Sequence, residues 1–305
     1  MSRTDPANVS HSIRQRLLNL AKDRNEDPNL VFIRYAIERL LYRLGCEFSD
    51  QFVLKGAMLF NVWTEKTHRP TRDLDLLGFG SDSQERLKLL FQRICQIEVE
   101  PDGLVFDSDS IKVAEIREEQ EYPGQRVKLN ARLGTGRINI QIDIGFGDAI
   151  TPQPQSIEYP TLLDLPAPHI QVYPRETVVA EKLQAMVALG MLNSRMKDFY
   201  DLWVITKQFS FDGKTLTKAV KATFDRRATI IPNDTPTALS DAFATDTEKN
   251  VQWKAFLNRS GLAEDTDIDF QQILEQLRQF LLPPLWAAAN NESVNKSWTN
   301  AGPWV

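Results

Sequence analysis

Cysteine is nearly absent from this 305-residue chain, which has Cys46 and Cys95 and no others. Two cysteines without metal-ligand spacing exclude a disulfide framework and a structural zinc site, and a reducing compartment, the cytoplasm, is the expected setting. Long apolar runs are missing as well. No stretch approaches 18 apolar residues, and the opening MSRTDPANVSHSIRQRLLNLAKD has no apolar signal core, so no membrane partner is expected. A basic excess is also lacking. Lys+Arg total 36 against 41 Asp+Glu, a net charge of −5. That balance argues against a globally basic nucleic-acid binder and leaves room for a local basic patch. No internal repeat stands out.

What is present is an ordinary globular composition, 42% hydrophobic and 25% charged, in a chain long enough for one large domain or two modest ones. The informative stretch is LKGAMLFNVWTEKTHRPTRDLDLLGFG, residues 54–80. Lys55-Gly56-Ala57 makes a small-residue corner after the apolar run Phe52-Val53-Leu54, before a helix expected over Ala57–Trp63. Backbone N–H groups at a helix start form a natural anion cradle. Arg69-Pro70-Thr71-Arg72-Asp73-Leu74-Asp75 then leads into a second strand, expected over Asp73–Phe79. Side chains alternate along a strand, so Asp73 and Asp75 share one face while Leu74 and Leu76 enter the core. Two such carboxylates repel unless a cation lies between them, and hard oxygen donors suit Mg²⁺ carrying nucleotide phosphates. The plain alternative is a pair of solvated charges, common in a chain this acidic.

Helical periodicity marks Ser12–Asp23 and Pro28–Gly45, with the residues up to about Asn8 loose and Gly45 as a stop. Ser81-Asp82-Ser83 caps a helix reaching about Ile97. Short β-runs follow at Leu104–Phe106, Ile111–Arg117, Arg126–Leu133 and Ile138–Gly145, the last two joined by a Gly134-Thr135-Gly136 turn. In INIQIDIG the isoleucines alternate with Asn139, Gln141 and Asp143. Asp143 is therefore either a third carboxylate beside Asp73 and Asp75 or a solubilising charge on a half-exposed strand. Thr151–Pro174 is proline-rich and reads as a surface connector. Beyond it the pattern is helical: Pro174–Gly190, a helix from Arg195, then about 213–225, 236–242, 247–258 and 267–282. The tail after Pro283-Pro284 reads as poorly ordered. The domains expected are 1–50, N-terminal helices on a core; 51–155, the core; 156–285, helical; and 286–305, a flexible tail.

Four elements in order, Lys55-Gly56-Ala57, Arg69-Pro70-Thr71-Arg72-Asp73-Leu74-Asp75, Glu181-Lys182-Leu183-Gln184-Ala185 and Arg195-Met196-Lys197-Asp198-Phe199-Tyr200-Asp201-Leu202, resemble those of the AbiEii/AbiGii toxin family over roughly residues 30–205. The resemblance implies an α+β fold: a polymerase-beta-like nucleotidyltransferase mixed sheet with N-terminal helices, followed by a mostly helical C-terminal domain. It further implies Mg²⁺ (or Mn²⁺) on Asp73, Asp75 and Asp143, with Asp143 helping to deprotonate the attacking hydroxyl. The substrate would be a nucleoside triphosphate, bound by Lys55, Gly56, Ala57, Arg69, Thr71 and Lys182, with Asp198 or Asp201 orienting Lys182 or a group of the nucleotide. Such a metal clamp stabilises the attacking and leaving oxygens of an in-line displacement. Apart from the family, Lys182 reads as a surface lysine on an amphipathic helix, with Asp198 and Asp201 paired to Arg195 and Lys197. The family corner usually carries Gly-Ser or Gly-Gly, so Gly56-Ala57 lacks a hydroxyl for phosphate.

The acceptor implied is RNA, with tRNA foremost, and the family's place in phage defence implies growth inhibition and a cognate antitoxin. Lys214, Lys218 and Lys221 share a helical face, followed by Arg226 and Arg227, and Arg14, Arg16, Lys22 and Arg24 form a second basic group. Phosphate contacts there would be salt-dependent; lysine stripes are otherwise merely solvated. Two other classes stay open: a non-catalytic nucleotide (GTP)-binding toxin, and a metal-dependent nuclease using the same carboxylates.

Overall fold

The computed structural model describes residues 6–64, 69–116, 124–262 and 269–305. The chain divides into two compact units, Met1–Gly147 with Gln155–Val172, and Asp148–Pro154 with Tyr173–Val305.

The first unit begins with α1 (Pro6–Asp23) and α2 (Pro28–Glu47), followed by β1 (Phe52–Lys55) and a 3₁₀ turn, Gly56–Leu59, that runs into α3 (Phe60–Trp63). Then come β2 (Asp73–Gly78), α4 (Gln84–Gln96), β3 (Leu104–Ile116), β4 (Gly124–Leu133), β5 (Gly136–Phe146), β6 (Gln155–Glu158) and β7 (His169–Val172). The capping residues explain the helix starts. Asp27 accepts a hydrogen bond from the Asn29 amide at 2.9 Å ahead of Pro28, and Ser83 accepts from the Arg86 amide.

The strands form one mixed seven-stranded sheet in the order β3-β4-β5-β2-β1-β7-β6. β2 runs parallel to β5 and antiparallel to β1, and β1 runs parallel to β7. Leu54, Leu74, Leu76, Ile142 and Ile144 are at most 1% exposed. These apolar positions alternate with the polar ones expected from the sequence, so one face of β2 and β5 is core.

The structure departs from the sequence expectations in several places. α1 starts at Pro6, within the segment expected to be loose. α2 continues past Gly45 because that position lies against β7: a Cβ there would meet the His169 carbonyl oxygen at 2.6 Å. The two runs Leu104–Phe106 and Ile111–Arg117 merge into β3, whose pairing with β4 shifts register between Asp107 and Lys112; Arg117 lies outside the described residues. The expected connector supplies β6 and β7, and β7 pairs directly with β1, so the core reaches Val172 rather than ending near 155.

Glu38 on α2 fixes part of this segment. It is 1% exposed, its Oε2 accepts from the Leu162 amide at 2.7 Å, and its Oε1 lies 3.7 Å from the Arg39 guanidinium. Burial pushes its carboxyl up to about 7, against the pull of the Leu162 hydrogen bond and Arg39.

The second unit is mostly helical: α5 (Arg175–Leu189), α6 (Met196–Gln208), the short strand β8 (Phe211–Asp212), α7 (Gly213–Arg226), α8 (Asp241–Thr245), α9 (Thr247–Arg259), α10 (Phe270–Ala289) and β9 (Ser297–Trp298). The start expected for the last helix, 267, lies outside the described residues. α10 passes through Pro283 and Pro284 rather than stopping there, because Leu281, Leu285 and Ala288 are buried on its far half. That apolar contact offsets the roughly 3 kcal/mol an interior proline costs. Nor is the tail loose. β9 pairs with β8, Trp298 is fully buried with its indole N–H donating to the Thr206 carbonyl at 2.9 Å, and Trp304 stacks on Phe280 at 5.9 Å.

Candidate active site

A single row of charges crosses four strands of the first unit. Lys55 on β1 faces Asp75 on β2; Asp75 faces Asp143 on β5; Asp143 faces Arg126 on β4. Side chains directly opposite in a sheet share a face. The row therefore reads plus, minus, minus, plus, and its two central carboxylates come from strands about 4.8 Å apart. Like charges placed opposite one another are unfavourable. Asp73, two residues before Asp75 and on the same face, faces Gln141, which in turn faces Lys128.

Two further details shape the row. Gly56 has φ +74°, a conformation glycine adopts without steric cost, and a Cβ at this position would lie 2.0 Å from Asp75 Oδ2. The backbone at the corner thus presses against the carboxylate. Asp143 is gripped from the other side: Arg126 Nε donates to Oδ1 and Nη2 to Oδ2, both at 2.7 Å. This is the bidentate fork that guanidinium and carboxylate form best. Ahead of β2, the Thr71 hydroxyl donates to the Asp73 carbonyl at 3.4 Å, and Arg69 is half-buried. Ala57 belongs to the 3₁₀ turn, so the amides of the corner start a tight turn and not the full helix expected over Ala57–Trp63.

The remaining sequence-predicted residues are in the second unit. Lys182 on α5 donates to Asp198 Oδ1 at 2.5 Å and to Asp201 Oδ2 at 2.8 Å, both on α6. Residues three apart on a helix share a side, while Phe199 and Leu202 bury the opposite one. Asp198 is 1% exposed and Asp201 fully buried, and Arg195 Nε lies 2.7 Å from Asp198 Oδ2. Burial alone would raise the Asp198 carboxyl, but Lys182 and Arg195 hold it below its ordinary value. Lys182 is thus no solvated surface lysine.

The family described as nucleotidyl transferase AbiEii toxin, type IV TA system, matches residues 39–276. The chain belongs to the AbiEii nucleotidyltransferase toxin family. It is accordingly a nucleotidyltransferase, built on a mixed-sheet core with a helical C-terminal region. Two solved structures resemble this AbiEii-family chain: JHP933 from Helicobacter pylori (14% identity, TM-score 0.44, 83% of this chain and 87% of that one) and a putative nucleotidyltransferase from H. pylori (14%, 0.44, 83% and 89%). No curated protein matches.

In this AbiEii-family chain the basic strip keeps most of its members on the surface. Lys214, Lys218 and Arg226 are exposed on α7, and Lys221 pairs with Asp225 at 3.7 Å. Arg227 turns inward instead, 3.1 Å from both Asp148 and Glu181, and donates to Gln184 Oε1 at 2.9 Å. The Tyr173 hydroxyl donates to Glu181 at 3.3 Å, and burial, with Glu181 and Asp148 beside it, pushes this phenol well above its ordinary value. Arg126 is a site residue that sequence reasoning does not single out. Its signal is the polar alternation of Arg126, Lys128 and Asn130 along β4, which only the register with β5 turns into a contact. Among the described residues no three of His, Cys, Asp or Glu are grouped to hold a metal ion, and no helix is long and apolar enough to cross a membrane.

Proposed function

We propose that the protein transfers a nucleotide from a nucleoside triphosphate to an RNA acceptor, tRNA foremost, with a divalent cation held by Asp73 and Asp75. The observation that carries this reading is the row Lys55–Asp75–Asp143, with Asp73 beside it and Gly56 packed on Asp75. The donor set fits Mg²⁺, which uses one or two carboxylates together with substrate phosphates and needs no all-protein cage. When bound, the ion neutralises charge on the phosphates undergoing in-line displacement.

The chain's own groups take the other parts. Lys55 supplies a point charge for phosphate, and the amides of Gly56 and Ala57 supply donors that need no hydroxyl at the corner. Arg69 and Thr71 line the approach to Asp73. Asp143, a carboxylate beside Asp75, is the acceptor for the proton of the attacking hydroxyl. Within the second unit, Lys182 is held by Asp198 and Asp201, and Lys214, Lys218, Lys221 and Arg226 are proposed to meet RNA phosphates. A cognate antitoxin and a role in abortive infection belong to the same proposal, supported by membership of the toxin family.

The test is incubation of the full chain with bulk tRNA, Mg²⁺ and each labelled nucleoside triphosphate in turn, alongside Asp75→Ala. Label on RNA that is abolished in Asp75→Ala and on chelation of the metal supports the reading and names the nucleotide. RNA that shortens without added nucleotide, or bound nucleotide with no transfer to RNA, overturns it.

A further inference from the structure

Asp143 has two competing claims on it. Its register places it beside Asp75, where a third carboxylate would serve the cation, yet both of its oxygens are taken by Arg126 at 2.7 Å. The fork is also geometrically favoured, since residues directly opposite on antiparallel strands are the closest cross-strand neighbours. The pair is half-buried, with side-chain exposures of 34% for Arg126 and 22% for Asp143. Less water screens it than screens a fully exposed pair, though enough reaches it for exchange of partners.

We propose that Arg126 is a latch on the site: a built-in cation that occupies Asp143, and that must let go before Asp143 joins Asp73 and Asp75 around a divalent ion. This rests on the nucleotidyltransferase site proposed above and adds a control to it. The guanidinium offsets the repulsion between Asp75 and Asp143 when no ion is bound, which keeps the pairing of β2 with β5 stable. A divalent ion at Asp73 and Asp75, with twice the charge, would compete with the guanidinium for Asp143. A released guanidinium would offer phosphate a planar fork of donors, the geometry arginine uses best. Lys128, two residues along on the same face of β4, faces Gln141 and is the natural control: a cation of the same face that does not face Asp143.

The test is Mn²⁺ binding to the full chain, read from the electron paramagnetic resonance signal of free Mn²⁺, for wild type, Arg126→Ala, Arg126→Gln, Lys128→Ala, Asp143→Asn and the Arg126→Ala/Asp143→Asn double variant. Melting temperatures with and without Mn²⁺ report folding, and nucleotide transfer by wild type is followed in parallel. The latch requires Arg126→Ala to bind Mn²⁺ about tenfold more tightly than wild type, an ordinary size for coupling between two ligands. Lys128→Ala should change little, and the gain should vanish in the Asp143→Asn background. Arg126→Gln removes the charge but keeps a donor, and covers the case in which alanine fails to fold. Folded variants at position 126 with unchanged or weaker Mn²⁺ binding, or a gain that persists without Asp143, overturn the latch while wild-type transfer leaves the parent reading standing. Absence of both Mn²⁺ binding and transfer in wild type overturns the two together.

Discussion

Gly56 and Asp75 are so close that a methyl group on the first would lie 2.0 Å from a carboxylate oxygen of the second. The corner is a glycine for two independent reasons, its φ of +74° and this contact. Gly56→Ala should therefore fold, with a melting temperature lowered by a few degrees, since a left-handed non-glycine residue costs about 1–2 kcal/mol. Nucleotide transfer should fall by about 10²-fold, the usual penalty for displacing a reacting group by an ångström. Reduced stability with transfer intact would show that the Asp75 carboxylate need not sit where it does.

Asp75→Asn should separate chemistry from stability in the opposite sense. It removes one of two carboxylates that face each other across β2 and β5. Thermal unfolding should be unchanged or slightly later, while transfer drops by about 10²–10³-fold, as when a group that stabilises developing charge is removed. A parallel fall in both would mark Asp75 as structural.

Lys182→Ala should be among the most destabilising single changes in the second unit. It leaves Asp198 and Asp201, at 1% and 0% exposure, without their shared ammonium. Breaking a buried pair by removing one partner costs about 3–5 kcal/mol, which urea titration would register. Stability within about 1 kcal/mol of wild type by that titration would contradict a buried role for the cluster.

Glu38 predicts a pH dependence of stability. Its folded-state carboxyl is raised to about 7, so folding favours the protonated form. The contribution is fully present below the ordinary glutamate value and is lost as pH rises through about 7. Between about pH 4 and pH 8 the chain should lose up to about 3 kcal/mol from this group. Glu38→Gln, which keeps an acceptor for the Leu162 amide, should flatten that slope and be the more stable protein at the alkaline end. Denaturant titrations at both pH values check it, and equal slopes in the two proteins would refute it.

Salt dependence of RNA binding should sort the basic residues. Removing one phosphate-binding cation lowers the slope of log K against log salt by about 0.7–0.9. Lys214→Ala and Lys218→Ala should each do so. Arg227→Ala should leave the slope alone and lower the unfolding midpoint, because its guanidinium is engaged with Asp148 and Glu181.

Much of the candidate site's layout was legible because β-strand alternation needs no tertiary knowledge. Asp73, Asp75 and Asp143 announce their faces through the leucines and isoleucines between them. What alternation cannot give is register across strands, so the fork from Arg126 to Asp143 stayed hidden although both residues sat on recognisable strands. Long-range closeness was equally invisible: nothing local distinguishes Gly45, placed by His169, from a helix stop. The tail misled by composition. Its asparagines and serines outnumber Trp298 and Trp304, yet those two rings fix its place against Phe280.

The division of the chain has a practical outcome. The backbone passes from one unit to the other at 147/148, at 154/155 and at 172/173. No single cut therefore yields either unit whole. A fragment ending at Gly147 would lack β7 and expose the edge of β1, an open strand ready to pair with another chain. Isolated halves should aggregate, and both units are best regarded as one inheritance, expressed together or not at all.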